Sequence, residues 1–356
     1  MMNTKNNAIT IWRIIFTYII LIFHFDNKYH FAWDLSLGLG WYIGVEFFFI
    51  VSGYLLYMGM DKLSLKLHSG WDYFVYRYKK IYPFYLGAFV FSFIFLLIAN
   101  RSMGITDVVK FLSDHFFEIF ALHGIGLDDG WNHLNNTAWF ISILFISGLI
   151  IYHCLLKWKD NFCNFVAPII IMISFSYLYR ANHNIDAVTQ VSGFYINQAL
   201  MRGLADMCLG IFAAKTKIYI SKKYNSFRLF RFIGFGCFMF VILCSMKFSY
   251  ATTDFLYALI LTVAVGMAFL PTESKICQNK IIQSWSSLTL CLYLLHDAFR
   301  TIIFPHFFGI PQALGTKVLL LILYLVMVTI SAILFKYVIS GIIKLVSGVA
   351  LRLNRT

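Results

Sequence analysis

The sequence predicts an all-α, polytopic integral membrane protein of about ten transmembrane helices, forming a single domain over residues 1–356. Three observations predict it. Of the 356 residues, 60% are hydrophobic and only 13% charged, a balance foreign to soluble domains. Apolar windows long enough to cross a bilayer recur along the whole chain. Lys and Arg gather in alternate connections between those windows, as they do in cytoplasmic loops.

The windows follow in order. The first, 8–25, has only a short polar lead and no small-residue cleavage pattern after it, so it reads as a retained span rather than a removed signal peptide. It carries Arg13 and His24. The second, 39–60, carries Glu46 about two turns in. The third, 81–99, opens behind the basic run Arg77-Tyr-Lys-Lys80 with Pro83 at its start. The fourth, 136–156, opens on Trp139 and Ser142, and the fifth, 164–179, has Pro168 near its start. The sixth, 195–214, holds Arg202 and Asp206 at i,i+4, the spacing of a pair within one helix. Windows 229–247 and 253–271 carry no motif. The ninth, 284–304, holds Tyr293 and His296 and ends at Pro305, and 316–343 completes the set. Prolines at span ends are readily tolerated.

Ten spans put both termini on one side. With the N-terminus cytoplasmic, twenty of the 29 Lys and Arg, Lys5 and Arg355 among them, fall in inner segments and seven in outer ones, while Arg202 and Lys336 lie within spans. Orientation thus accounts for the net charge of +13, and no nucleic-acid partner is needed. The longest outer loop, about 100–135, is acidic (Asp107, Asp114, Glu118, Asp128, Asp129) and ends in Trp131 and His133. It reads as partly folded over the outer face. No polar stretch is long enough to be a soluble domain. The seven cysteines lack CxxC spacing, which indicates neither a disulfide framework nor a metal site. Small-xxx-small patterns are too common in membrane spans to decide for or against a homo-oligomer.

Ionisable residues inside spans are costly and persist where they have a partner or a task. His24 is placed toward the outer half of the first span, where an imidazole can take a proton from a hydroxyl near neutral pH. Otherwise it is an interfacial histidine. Glu46, at similar depth in a span running back from the same face, is placed to orient that imidazole. Arg13 lies eleven residues before His24, roughly 16 Å along a helix axis. Arg13 either snorkels to the cytoplasmic headgroups or joins Arg77 and Lys80 as a cationic cluster suited to a phosphorylated donor. His296 is either a packed histidine or a second pocket residue. Trp139 and Ser142 stand one turn apart, at a position where an aromatic belt also explains the Trp.

Five stretches give the chain a family resemblance. They are Arg13 and His24 in R-x10-H spacing, GVEFFFIVSGYLL (44–56), RYKKIYPFY (77–85), the Trp-Phe-x-Ser start at Trp139, and LYLLH (292–296). In this order, and across nearly the whole chain, they resemble the membrane acyltransferase-3 family, which O-acylates bacterial glycans and some small molecules. The resemblance implies an inner-membrane O-acyltransferase that takes acetyl or another short acyl group from cytoplasmic acyl-CoA, a co-substrate rather than a bound cofactor, to a cell-envelope glycan. It implies His24 as catalytic histidine with Glu46 beside it, and Arg13, Arg77 and Lys80 as donor-handling cations. Trp139, Ser142, Tyr293 and His296 would line the substrate pocket, with Ser142, Tyr293 or a backbone amide near Gly53 as oxyanion donor. Lys80 stands where many members carry arginine, and the fused extracytoplasmic domain of some members is absent. A transporter or exporter of a glycan or small polar solute is the competing class. Gly- or Pro-broken helices paired between the two halves of the chain would mark it.

Overall fold

The computed structural model describes residues 8–35, 37, 40–126, 133–186, 191–192, 196–248 and 250–353. Lys5, Asp128, Asp129, Trp131 and Arg355 lie outside the described residues. Among the described residues, the regular structure is helical apart from a two-residue strand β1 (Val191–Ser192) paired antiparallel with β2 (Ile196–Asn197).

Helix α1 (Ile9–Tyr29) stops at His30, whose left-handed backbone (φ 53°) lets its N–H reach the Asp26 carbonyl. A short turn, α2 (Phe31–Asp34), precedes α3 (Gly44–Leu63). Ser69 caps α4 (Gly70–Ala99) by accepting from the Asp72 N–H, and α4 runs on through Pro83. The long loop that follows contains α5 (Ile105–Asp114) and α6 (Phe116–Ile119). Helix α7 (Trp139–Asn161) breaks at Trp158, where φ and ψ are −139° and 43°. A π-helical turn then leads into α8 (Ala167–Asn182). Asn197 caps α9 (Gln198–Lys223), and α10 (Arg228–Ser245) and α11 (Thr253–Ala268) follow. After α12 (Lys275–Gln278), the short α13 (Lys280–Ser286) is bent by 46° against the stretch formed by α14 (Thr289–Ala298), a second π-helical turn and α15 (Phe304–Phe308). The chain ends in α16 (Leu314–Leu353).

Among the described residues, six helical stretches are long and apolar enough to cross a membrane, or seven if the bent pair is one span. All ten windows read from the sequence fall on helices, yet the count by length and composition is lower for identifiable reasons. Windows four and five share the 47-residue stretch Asn136–Asn182. It is broken at Trp158 and, at 1.5 Å per residue, is far longer than a bilayer is thick. Helix α9 carries Arg202, Asp206 and several lysines, too polar to qualify alone, and α11 is only 16 residues long. Such helices are stable in a bilayer when their polar groups face partners inside the bundle.

The centre of the bundle is α3 against α9. A Cβ on Gly53 would stand 2.0 Å from the Met207 carbonyl oxygen, and one on Gly210 would stand 2.3 Å from that of Ile50. Only glycine lets the two backbones meet so closely. The periphery is apolar: 67% of the α3 span is buried, against 22% of the α16 span, and α16 turns Leu319, Ile322, Ile330, Ile333, Leu334, Ile342 and Leu345 outward. Residues 100–126 and 133–135 of the long loop fold against the bundle. Its Glu118 and His123 are fully buried, and the Tyr85 hydroxyl, midway along α4, donates to the Glu118 carbonyl at 2.6 Å.

Candidate active site

Two helices from opposite ends of the sequence present matching stripes to each other. On α1, Arg13, Thr17, Ile20 and His24 follow i, i+4, i+7, i+11 and share one face. On α14 and the π-helical turn after it, Thr289, Tyr293, His296 and Arg300 follow the same spacing. The stripes run parallel. At one end an Arg13 Nη donates to the Thr289 hydroxyl at 3.2 Å. At the other, the His24 and His296 rings lie 5.2 Å apart, centre to centre, and Arg300 reaches the His24 carbonyl at 3.5 Å.

Between the stripes is a narrow, mainly apolar cavity of about 110 Å³, lined among others by Arg13, Thr17, Ile20, Phe140, Thr289 and Tyr293. Arg13 also lines a second cavity, of about 500 Å³, with Lys280, Gln283, Ser284 and Ser287. One guanidinium therefore lines both the wide polar cavity and the slim apolar one, which reaches along α1 and α14 as far as Ile20 and Tyr293, about one turn short of the histidines.

The histidine end is rigidly built. His296 is fully buried, and its Nδ1 contacts the Tyr293 carbonyl. A carbonyl only accepts, so Nδ1 carries the proton and the Nε2 lone pair is left without a hydrogen-bond partner among the described residues. Tyr324 donates to the His296 carbonyl at 3.3 Å. Arg300 pairs with Asp297, whose other oxygen accepts from the Thr137 N–H at 3.5 Å. The Tyr293 hydroxyl donates to the Thr137 carbonyl, and Asn135 reaches the Leu294 carbonyl at 2.7 Å. Residues 134–137 thus roof this end. They are held by Glu118, whose two oxygens accept from the N–H groups of Leu134 and Asn135 at 2.9 and 2.6 Å.

Glu46 turns away from His24. Its carboxylate pairs with Arg202, whose guanidinium also reaches Asp186 at 3.0 Å and the Tyr42 carbonyl at 3.4 Å. The reason is angular. Val45 and Phe48 line the narrow cavity, and each helical residue is rotated about 100° from the last, which turns Glu46 toward α9. The intrahelical Arg202–Asp206 pair is not formed. Arg202 reaches across the bundle instead, and both Asp206 oxygens lack a hydrogen-bond partner among the described residues. Trp139 belongs to this cluster too, its ring 5.5 Å from the Arg202 guanidinium.

The remaining sequence candidates fall as follows. Ser142 is buried and accepts from the Gly124 N–H at 3.3 Å, which anchors the loop. Gly53 abuts the Met207 backbone of α9 on its Cβ side. Arg77 is half-buried and Lys80 exposed on α4, and neither lines the cavities that Arg13 lines. That run sits on a helix packed against α7, α14 and α16, whereas Arg13 faces α13 and α14. Sequence reasoning passed over Lys280, Thr289 and Arg300. The repeated i, i+4, i+7, i+11 spacing was the signal that could have found the latter two.

No curated protein and no solved structure matches the chain. The acyltransferase-3 domain profile, described as an acyltransferase domain, matches residues 6–340. Nearly the whole chain, including both facing stripes, lies within that match, and the protein belongs to the acyltransferase-3 family.

Proposed function

We propose that this membrane acyltransferase is an O-acyltransferase of the cell inner membrane, moving an acetyl group from cytoplasmic acyl-CoA to a hydroxyl of a cell-envelope glycan or glycan precursor. The observation that carries the reading is the pair of parallel stripes, with a cation at one end, two histidines at the other and a slim cavity between. Family membership supplies acyl transfer. The positive-inside bias puts the Arg13 end at the cytoplasm, where acyl-CoA is found.

The roughly 16 Å between Arg13 and His24 along α1 suits a donor gripped by its phosphates and reacting at the end of a long arm. His24 is half-buried, less enclosed than His296. His24 takes the proton from the acceptor hydroxyl while its oxygen attacks the thioester carbonyl. The C–O bond forms, the C–S bond breaks, and the departing thiolate collects the proton from His24. The Tyr293 ring walls the neck beside the reacting carbon, and His296 holds a neutral, proton-accepting edge beside His24. Trp139, Ser142 and Glu46 act one step back, by holding Arg202 and the loop around the site. The apolar neck excludes water, which would otherwise hydrolyse the thioester.

The test is turnover of radiolabelled acetyl-CoA by purified protein in detergent. Wild type is expected to release or exchange acetyl groups. His24→Ala should still bind the donor but react about 10²- to 10⁴-fold more slowly, the usual contribution of a general base. Wild-type turnover by His24→Ala, or no reaction with any short acyl-CoA, would sink the reading.

A further inference from the structure

The wide cavity at the Arg13 end plays no part in the chemistry at His24, and its lining is of one kind. Arg13 and Lys280 bring positive charge, Gln283 an amide, and Ser284 and Ser287 hydroxyls, with no carboxylate among the lining residues. Lys336 of α16 donates to the Ser287 hydroxyl at its rim, so three cations from three separate helices converge on one opening. The frame is braced. Trp285 donates to the Tyr18 hydroxyl at 3.2 Å, and Tyr18 in turn bonds Thr329 of α16 at 2.8 Å, joining α13, α1 and α16.

We propose that this mouth seats the phosphate groups of a nucleotide-bearing thioester, with Lys280 and Lys336 completing the anion site that Arg13 begins. The inference rests on the acyl-CoA reading and deepens it. A bulky, multiply charged head needs a wide basic opening, and a slim pantetheine arm needs a narrow apolar passage. Arg13 lines both the cavity of about 500 Å³ and that of about 110 Å³. A short phosphopantetheine thioester would leave most of the basic surface unused. Anionic lipid headgroups offer the same phosphate chemistry, so the source has to be separated by experiment. Lys280 and Lys336 were not among the sequence candidates, and they displace Arg77 and Lys80 as Arg13's companions.

Equilibrium binding of tritiated coenzyme A, carrying no acyl group, tests the site without requiring catalysis. Lys280 is exposed and Lys336 only half-buried, and neither is part of the packed core, so Gln substitutions there leave the core intact. Each of Lys280→Gln and Lys336→Gln is expected to weaken binding about tenfold, as for loss of one charge-assisted phosphate contact. The double variant should also show a shallower salt dependence, while Lys79→Gln, at an exposed lysine on α4, should bind as wild type does. Tight binding to wild type with no loss in either lysine variant would overturn this site and leave the acyltransferase reading standing. No binding to wild type would remove both. Displacement of coenzyme A by phosphatidylglycerol in mixed micelles, lost in the lysine variants, would assign the mouth to lipid and overturn the nucleotide assignment.

Discussion

Replacing Glu46 with alanine would leave the Arg202 guanidinium buried with much of its counter-charge gone. Removing one partner of a buried ion pair costs about 3–5 kcal/mol, and a marked drop in the thermal midpoint of the detergent-solubilised protein is the expected result. Glu46→Gln, which keeps a hydrogen-bond acceptor, should recover part of it. His24→Ala should behave in the opposite way, losing activity with little loss of stability, because no side-chain hydrogen bond of His24 holds the fold among the described residues. If Glu46→Ala instead abolished activity at unchanged stability, Glu46 would belong to the chemistry. Arg13 and His24 were legible in the sequence because charge in an apolar run is conspicuous and their spacing fixes a shared face. The partner of Glu46 was not, since similar depth says nothing of direction around a helix. Only the packing of α3 on α9 turns its carboxylate toward Arg202.

Between helices, the α3–α9 seam depends on having no side chain at Gly53. A methyl group there would meet the Met207 carbonyl oxygen at 2.0 Å, well inside contact distance, so the two helices must separate. Gly53→Ala is expected to cost at least the 1–3 kcal/mol typical of overpacking. It should also lower activity, because α3 supplies Val45 and Phe48 to the narrow cavity; a thermal midpoint within a degree of wild type would refute the argument. The helices themselves were legible from apolar windows, and each window found one. Their boundaries and number were harder to read. The break at Trp158 follows no proline or glycine, and α9 stays within the bundle because Glu46 and Asp186 face its arginine, a compensation that hydropathy does not register. That the loop 100–135 folds over the bundle was expected, but the full burial of Glu118 was hidden, since acidic residues in a loop are ordinarily solvated.

Across the whole molecule, acidity should act first on the roof over the histidines. Burial pushes the His123 imidazole down to about 3, with Glu118 opposing and His133 and His115 adding to the fall. Burial pushes the Glu118 carboxyl up, but the hydrogen bond from His133, the nearby His123 and the N–H groups of Asn135 and Leu134 outweigh it and hold Glu118 below the usual glutamate range. Both groups have folded values below their unfolded ones, so both stabilise the packed loop at neutral pH. Their contributions fade as pH falls, that of His123 from about 6.5 toward 3 and that of Glu118 below the ordinary carboxylate range. Hydrogen exchange in residues 115–126 and 134–138 should therefore accelerate on going from pH 7 to pH 4, after correction for intrinsic rates, and more so than in α3. A uniform response would show that burial of the neutral His123 imidazole does not hold the loop in place. The pairing of α1 with α14 bears on how the protein comes into being. The residues that touch across it, Arg13 and Thr289, are 276 positions apart in the chain. A nascent chain carries Arg13 and His24 into the bilayer among its first segments and must wait for most of translation before their counterparts arrive. A product that stops short of α14 holds only one of the two facing stripes, and the second wall of the cleft is delivered only with α14.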